Sequence, residues 1–214
     1  MSTLELISPW PDEAEVGFTL DVPKQPRGGV AYARLVTAQR LLQDRVAGAA
    51  LPADVSADVA ARLEALCDEL AAYQASEHER HDGWRPDLPG RGHPLLPTYI
   101  VDEDDELMLR GRVTFTRFYL GGNGAAHGGS QPLLFDDLLG RVVNHRQAGG
   151  VARTAYLKVT YRKITPIGRQ LRFEATVDRI DGRKRWASAR LYDAHGDVVA
   201  DAEGLFIELR PGQP

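Results

Sequence analysis

Between Gly121 and Gly140 the chain gathers the groups from which acyl-transfer or anion-binding chemistry is built. Gly121, Gly122, Gly124, Gly128 and Gly129 stand between a strand-like run and a helical one, with His127 among them. Such a loop delivers backbone N–H groups to a helix N-terminus, where unpaired donors and the helix dipole favour an anion or a polarised carbonyl oxygen. A nucleotide cradle is a poor fit. A Walker loop ends in Gly-Lys-Ser/Thr and this loop has no lysine, while the dinucleotide fingerprint GxGxxG is replaced by G-N-G-A-A-H. Glycine serving only a tight turn is the plain alternative.

Two carboxylates follow, and helical spacing separates them. Asp137 shares a face with Arg141 and Asn144, which reads as a solvated stripe. Asp136 shares its face with Leu133, Gly140 and Val143, an apolar stripe with a gap one turn later. A carboxylate facing such a space is expected to have a raised pKa and to serve as base or nucleophile. The gap at Gly140 would admit a ligand or another backbone. Elsewhere the signals thin out. His78 and His81 miss the HExxH spacing of a zincin by one residue, so no metal site is expected. No GxSxG elbow supports serine-hydrolase chemistry. Cys67 lies in an apolar helical pattern and reads as a buried core thiol.

The elements that must hold these residues fall into two parts. Residues 1 to about 28 are rich in Pro, Glu and Asp and read as an arm with one strand, EVGFTLDV. Residues 30 to about 74 are helical. Ala31, Leu35, Leu41, Leu42 and Val46 approximate one apolar face and Val59, Leu63, Leu66, Leu70 and Tyr73 another, with a break at Leu51-Pro52 and an N-cap offered by Ser56 or Asp58. A Pro-, Gly- and charge-rich linker follows to Pro97. Residues 106–120 read as a strand bent near Gly111, then comes the glycine loop, one helix from about Ser130 to Gln147, and four strands in a meander. The expected organisation is therefore an arm and helical extension over 1–97, then an α+β domain over 98–214. One helix cannot cover both faces of a five- or six-stranded sheet. The sheet is thus expected to curl round the helix and bury its remaining apolar face against a second copy.

Composition bounds the function. With 214 residues, 43% of them hydrophobic, and a net charge of -4, the chain is an ordinary globular protein with no surface suited to nucleic acid. No apolar run approaches the roughly 20 residues that cross a bilayer. The first residues lack a basic segment followed by an apolar one, and a single cysteine allows no internal disulfide, so a cytoplasmic setting is expected.

His127-Gly128-Gly129, an Asp nine residues after the histidine and a Gly four residues further on resemble the HGG-x6-D-x3-G signature of hotdog thioesterases. The branch is that of the phenylacetate-pathway thioesterases and the animal thioesterase superfamily members. The likeness continues in GGVARTAYLKVTYRKITPIG, with a Thr-Ala strand and a Pro-containing turn, and in the closing IDGRK hairpin strands. It covers about residues 110–209. The spacing from Asp136 to Thr154 is about two residues longer than in the animal branch, and Gly149-Gly150 ahead of Thr154 restores the alignment.

That resemblance implies a hotdog fold, a long helix wrapped by a curved antiparallel sheet, assembled as a homodimer or dimer of dimers with active sites at the interface. It implies hydrolysis of acyl-CoA to a free acid and coenzyme A, with no cofactor. Asp136 would act as general base on water or attack directly to form an anhydride. The Gly128 and Gly129 amides would polarise the thioester carbonyl, His127 would position it, and Thr154 would orient water or carboxylate. Ser130 and Gln131 would touch the substrate. Arg183 and Lys184 of the hairpin, with Arg162, would meet the negative charges of coenzyme A or of an acidic acyl carrier. A non-catalytic acyl-CoA-binding protein and a hotdog hydratase or dehydratase are the rival readings. The N-terminal helices are expected to pack over the hotdog core.

Overall fold

The computed structural model describes residues 26–145, 150–210 and 212. Two helices, α1 (Gly29–Ala47) and α2 (Ala53–Ala71), precede eight strands and a third helix. The strands are β1 (Thr98–Asp104), β2 (Met108–Thr114), β3 (Leu120–Gly122), β4 (Ala125–Ala126), β5 (Ala152–Tyr161), β6 (Gln170–Asp181), β7 (Lys184–Tyr192) and β8 (Val198–Glu208). The third helix, α3 (Ser130–Asn144), stands between β4 and β5. Six strands form one antiparallel sheet in the order β1-β2-β6-β7-β8-β5, and β3 and β4 make a small hairpin. This is the α+β hotdog architecture: one helix in the grip of a curved sheet. The N-terminal strand EVGFTLDV expected from sequence, and Gly149, lie outside the described residues.

The grip follows from side-chain size. On α3, Leu134, Phe135, Leu138, Leu139, Val142 and Val143 are fully buried. Facing them, the inner positions of the central strands are largely small: Ala175, Ala187, Ala189, Ala200 and Ala202. Gly204 completes the trough, since a Cβ there would stand 3.4 Å from Leu139 and 3.2 Å from the Tyr156 carbonyl. Small residues let the helix axis sink toward the sheet, and Leu171, Phe173, Leu191 and Phe206 close the sides. At Gly111 β2 keeps unbroken register with β6, and the irregularity falls on the opposing strand: β1 carries a bulge after Val101, and a Cβ at Gly111 would lie 2.1 Å from the Ile100 carbonyl.

Several expectations need correction. The sheet's outer face is not apolar. It is mixed: it carries ion pairs, among them Arg110–Glu174, Arg112–Asp102 and Lys158–Glu203, beside a row of Trp186, Leu205 and Tyr156 across β7, β8 and β5. The 106–120 strand ends at Thr114, and a short 3-10 turn (Arg117–Tyr119) follows. Between that linker and residue 106 stands a strand that had not been expected, β1, whose acidic run Asp102-Glu103-Asp104 disguised it. Charge on an edge strand blocks stray pairing, and here it meets arginines. Helix α2 starts at Ala53 with Pro52 as its cap, and the Ser56 hydroxyl instead bonds back to the Pro52 carbonyl at 2.9 Å.

The N-terminal helices differ from one another in their docking. Helix α1 is fastened by Arg40, which donates to the carbonyls of Leu96 (2.8 Å) and His93 (2.7 Å), and by Asp44, which accepts from the Phe118 amide at 2.8 Å. Helix α2 buries no residue, and Cys67 upon it is exposed rather than a core thiol. No helix among the described residues is long and apolar enough to cross a membrane.

Candidate functional site

The loop ahead of α3 is built as a hairpin whose turn residues, Asn123 (φ 50°) and Gly124 (φ 74°), both adopt left-handed conformations. Asn-Gly suits the type I′ geometry that joins two twisted strands. The hairpin is pinned by the Ala126 amide to the Thr165 carbonyl (2.8 Å) and the His127 amide to the Tyr119 carbonyl (2.7 Å). At Gly121 the backbone passes so close to His127 that a Cβ would sit 2.8 Å from its Cα. Turn and close approach together fix His127 one turn before the helix.

Within the His127-Gly128-Gly129 run the amides are partly spoken for. The Gly129 N–H donates to His127 Nδ1 at 3.0 Å. A nitrogen that accepts carries no proton, so this bond leaves the proton of a neutral ring on Nε2. The Ser130 amide and hydroxyl both donate to the His127 carbonyl, at 2.9 and 2.7 Å, which makes buried Ser130 a brace for the loop. Gln131 is buried, and its Oε1 has no hydrogen-bond partner. Tyr161, which sequence reading passed over, donates its hydroxyl to the Gly128 carbonyl at 2.8 Å and so ties the end of β5 to the loop.

Further along α3, Asp136 is exposed and its Oδ1 accepts from the Thr154 hydroxyl at 2.8 Å. Simple alternation along β5 would group Thr154 with Tyr156, Lys158 and Arg162. A bulge between Thr154 and Tyr156 breaks that parity. Thr154 therefore shares the helix side of β5 with Leu157, Val159 and Tyr161, while Lys158 pairs with Glu203 outside. The apolar, enclosed setting expected for Asp136 is absent within a single chain.

Asp137 is not solvated. Its carboxylate is 11% exposed and accepts from Arg91 and from the Tyr99 hydroxyl. Burial and the neighbouring Asp137 charge push the Tyr99 hydroxyl pKa up. The rest of the expected solvated stripe is also engaged. Arg141 reaches buried Asp104 at 2.7 Å, and Asn144 bonds both the amide and the carbonyl of Ala152.

The basic candidates lie at two ends. Arg162 is held on the outer face by Asp201, with Nε 2.5 Å from Oδ2, near the glycine loop. Arg183 and Lys184 lie at the other end of α3, in the β6–β7 hairpin, where Arg183 donates to the Glu208 carbonyl at 2.8 Å. Arg185, the next cation in the same run, is buried. It donates to the Val143 carbonyl (2.7 Å), the Gly150 carbonyl (3.2 Å) and Glu208 (2.6 Å). The Gly150 amide and then Arg185 hold the Glu208 carboxyl below its usual range. At 1.5 Å per helical residue, Gly129 and Asp136 stand about 10 Å apart along α3, and the hairpin is roughly 20 Å from the loop. One chain thus brings Thr154 to Asp136 and His127 to Gly129, but leaves these pairs and the basic hairpin apart.

No protein-family model matches the chain. Over 89 residues it is 30% identical to the acyl-coenzyme A thioesterase THEM4 of Bos taurus, a match that takes in 41% of this chain and 35% of that protein. The chain thus spans about a third of the length of that curated relative. Among solved structures, a thioesterase superfamily protein superposes with a TM-score of 0.68 at 29% identity, over 86% of this chain and 93% of the other. That coverage is more than residues 98–214 alone supply, so it reaches into the N-terminal segment. The crystal structure of AziG from S. sahachiroi superposes with a TM-score of 0.50 at 15% identity over 52% of this chain, a likeness of fold alone.

Proposed function

From a chain that carries the hotdog fold of the thioesterase superfamily, we propose that it hydrolyses acyl-CoA thioesters, with Asp136 as general base. The observation that carries this reading is the Thr154 to Asp136 hydrogen bond at an exposed position of α3. A hydroxyl donating to one carboxylate oxygen orients the other toward water and leaves it an acceptor. Water adds to the thioester carbonyl as its proton passes to Asp136. The C–S bond then breaks, and the proton goes to the departing thiolate. The oxyanion is met by donors that lie ready: the Gly128 amide and His127 Nε2–H, the latter set by the bond from Gly129 to Nδ1. In this reading Ser130 holds the loop and Gln131 offers its unpartnered oxygen beside the acyl group.

The roughly 10 Å between Gly129 and Asp136 exceeds what one carbonyl and one water span. A two-fold homodimer, alone or as a dimer of dimers, with its α3 helices antiparallel, answers this by setting Asp136 of one protomer against the His127 loop of its partner. The same operation carries Arg183 and Lys184 toward the partner's loop, where they meet coenzyme A phosphates. We place this activity in acyl-CoA turnover in the cytoplasm.

The test is free-thiol release from short, long and aromatic acyl-CoAs by the wild-type chain beside Asp136→Asn. A loss of about 10²–10⁴ in kcat for the variant is expected. A folded wild type that releases no thiol but retains coenzyme A affinity would replace this reading with a binding protein. Incorporation of ¹⁸O from water into the Asp136 carboxylate in single turnovers, as water opens an acyl-aspartyl anhydride at the aspartyl carbonyl, would replace the base with an anhydride-forming nucleophile.

A further inference from the structure

Helix α2 leaves a stripe of large apolar side chains with no occupant among the described residues of its own chain. Val55, Leu66 and Leu70 are 41–45% exposed, Tyr73 is more exposed still, and no residue of the helix is buried. Helix α1 does not cover the stripe, since its own Leu35, Leu42 and Val46 are exposed as well. The spacing is informative. Val59, Leu63, Leu66, Leu70 and Tyr73 follow one another at intervals of four, three, four and three, the alternation of a two-helix seam rather than the broader stripe of a helix lying on a sheet.

We infer that α2 is a self-association helix, whose seam takes the α2 of a second copy in antiparallel orientation. Charge selects both the partner and the direction. The positions flanking the seam on one side are Arg62 and Glu69, and on the other Ala60 and Cys67. An antiparallel pair centred between Leu63 and Leu66 sets Leu63 on Leu66 and Val59 on Leu70 of the second copy. It then places Arg62 beside Glu69 of the second copy at both ends of a two-fold, and small Ala60 beside Cys67. A parallel pair would instead set Arg62 against Cys67 and Glu69 against Gln74, with no opposite charges meeting. The outward face disfavours an anionic lipid surface, because α2 carries Asp54, Asp58, Glu64, Asp68 and Glu69 against Arg62 alone. The seam asks nothing of the thioesterase reading.

The experiment is intermolecular disulfide formation in the full-length chain carrying Cys67→Ser. Arg62→Cys with Glu69→Cys is compared with Ala61→Cys with Asp68→Cys, the same spacing on the outer face. Two turns separate each pair within one helix, about 10 Å, beyond the reach of an internal disulfide. Covalent dimers are expected at least tenfold faster from the seam pair, and Leu63→Asp with Leu66→Asp should abolish that excess. Neither leucine lies in the core, so these variants keep the fold, and circular dichroism checks it. Equal rates for the two pairs overturn the inference. So does cross-linking of Arg62→Cys to Cys67 in a separate variant that keeps Cys67, which reports parallel helices, or capture of the chain on phosphatidylserine vesicles that the leucine variants lose. Thioester hydrolysis by the leucine variants is read alongside and is expected within twofold of wild type, so a failed seam and a failed activity remain distinct results.

Discussion

Thr154 on β5 donates to Asp136 on α3 at the one point where β5 loses its alternation. The bulge after Thr154 lets that residue face the helix while Leu157, Val159 and Tyr161 still face inward beyond it. Without the extra residue, either the Asp136 contact or the Tyr161 to Gly128 contact would be turned to the outer face. The bulge thus allows one strand to brace both the carboxylate and the glycine loop.

Thr154→Ala should therefore act on rate rather than on folding. A hydrogen bond to a charged group contributes about 1.5–3 kcal/mol, or roughly ten- to a hundredfold. We expect kcat for thiol release to fall by about that factor. KM should change less than threefold, and Tm should hold within a few degrees because Thr154 is exposed. Thr154→Ser, which keeps the hydroxyl, should recover most of the rate. Equal losses in both variants would show that the methyl group and not the hydroxyl matters.

Adjacent carboxylates should separate by readout. Asp137 is bound by Arg91 from the N-terminal segment and by Tyr99 of β1, so Asp137→Asn leaves a cation short of its partner. A cost of about 2 kcal/mol, lowering Tm by roughly 4–8 °C, is expected, with kcat within about threefold of wild type. Asp136→Asn should show the reverse, an intact Tm and a large loss of rate. Thermal melts beside thiol-release assays decide it, and a matching pattern in both variants would remove the distinction between the two positions.

Much of this site was legible before any coordinates. The His127 loop, the helix that carries Asp136 and the four closing strands all carry local signals: glycines at a helix start, period-3.6 spacing and alternating strands. What escaped notice is non-local. The β5 bulge depends on register with β8, and no residue type announces it. Asp137 looked solvated because Arg91 lies 46 positions away in a segment that reads as a linker. Arg185 looked like its neighbours Arg183 and Lys184 because burial on one side of a strand is invisible in a run of three cations. The α2 stripe was visible as apolar, but only the fold shows that the described residues of its own chain leave it open.

Alkaline titration should expose the tyrosines that link the N-terminal segment to the core. Burial pushes the Tyr119 hydroxyl up to about 12, and Tyr99 is shifted in the same direction. Below pH 10 both folded and unfolded chains keep these protons, so stability is unaffected. Above it the unfolded chain ionises first, and stability falls as pH rises toward the folded value, by at most about 1.4 kcal/mol per unit for each tyrosine. Urea midpoints measured from pH 8 to 11 should hold to about pH 9.5 and then decline. Tyr119→Phe should decline less steeply from a lower start, because it loses the bond to the Leu95 carbonyl. A wild-type midpoint that stays level to pH 11 would contradict these shifts.

The hairpin cations should divide in the same manner, and salt is the lever that shows it. Arg185 is 2% exposed and joins the last turn of α3 to the start of β5 and the end of β8 through Val143, Gly150 and Glu208. Arg185→Gln strips a buried cation from three acceptors and should cost about 3 kcal/mol, with a clear fall in Tm at any ionic strength, because a buried pair is poorly screened. Lys184 and Arg183 are exposed at the turn. In the proposed dimer they meet coenzyme A phosphates across water, where attraction is weak and screened within about 10 Å at 0.1 M salt. Lys184→Gln should thus leave Tm unchanged and raise KM for acyl-CoA about two- to fivefold at low salt. The difference from wild type should vanish near 1 M, where the screening length is about 3 Å. A KM for Lys184→Gln that matches wild type at every salt concentration would take the hairpin out of the binding site and leave the coenzyme A phosphates to other cations.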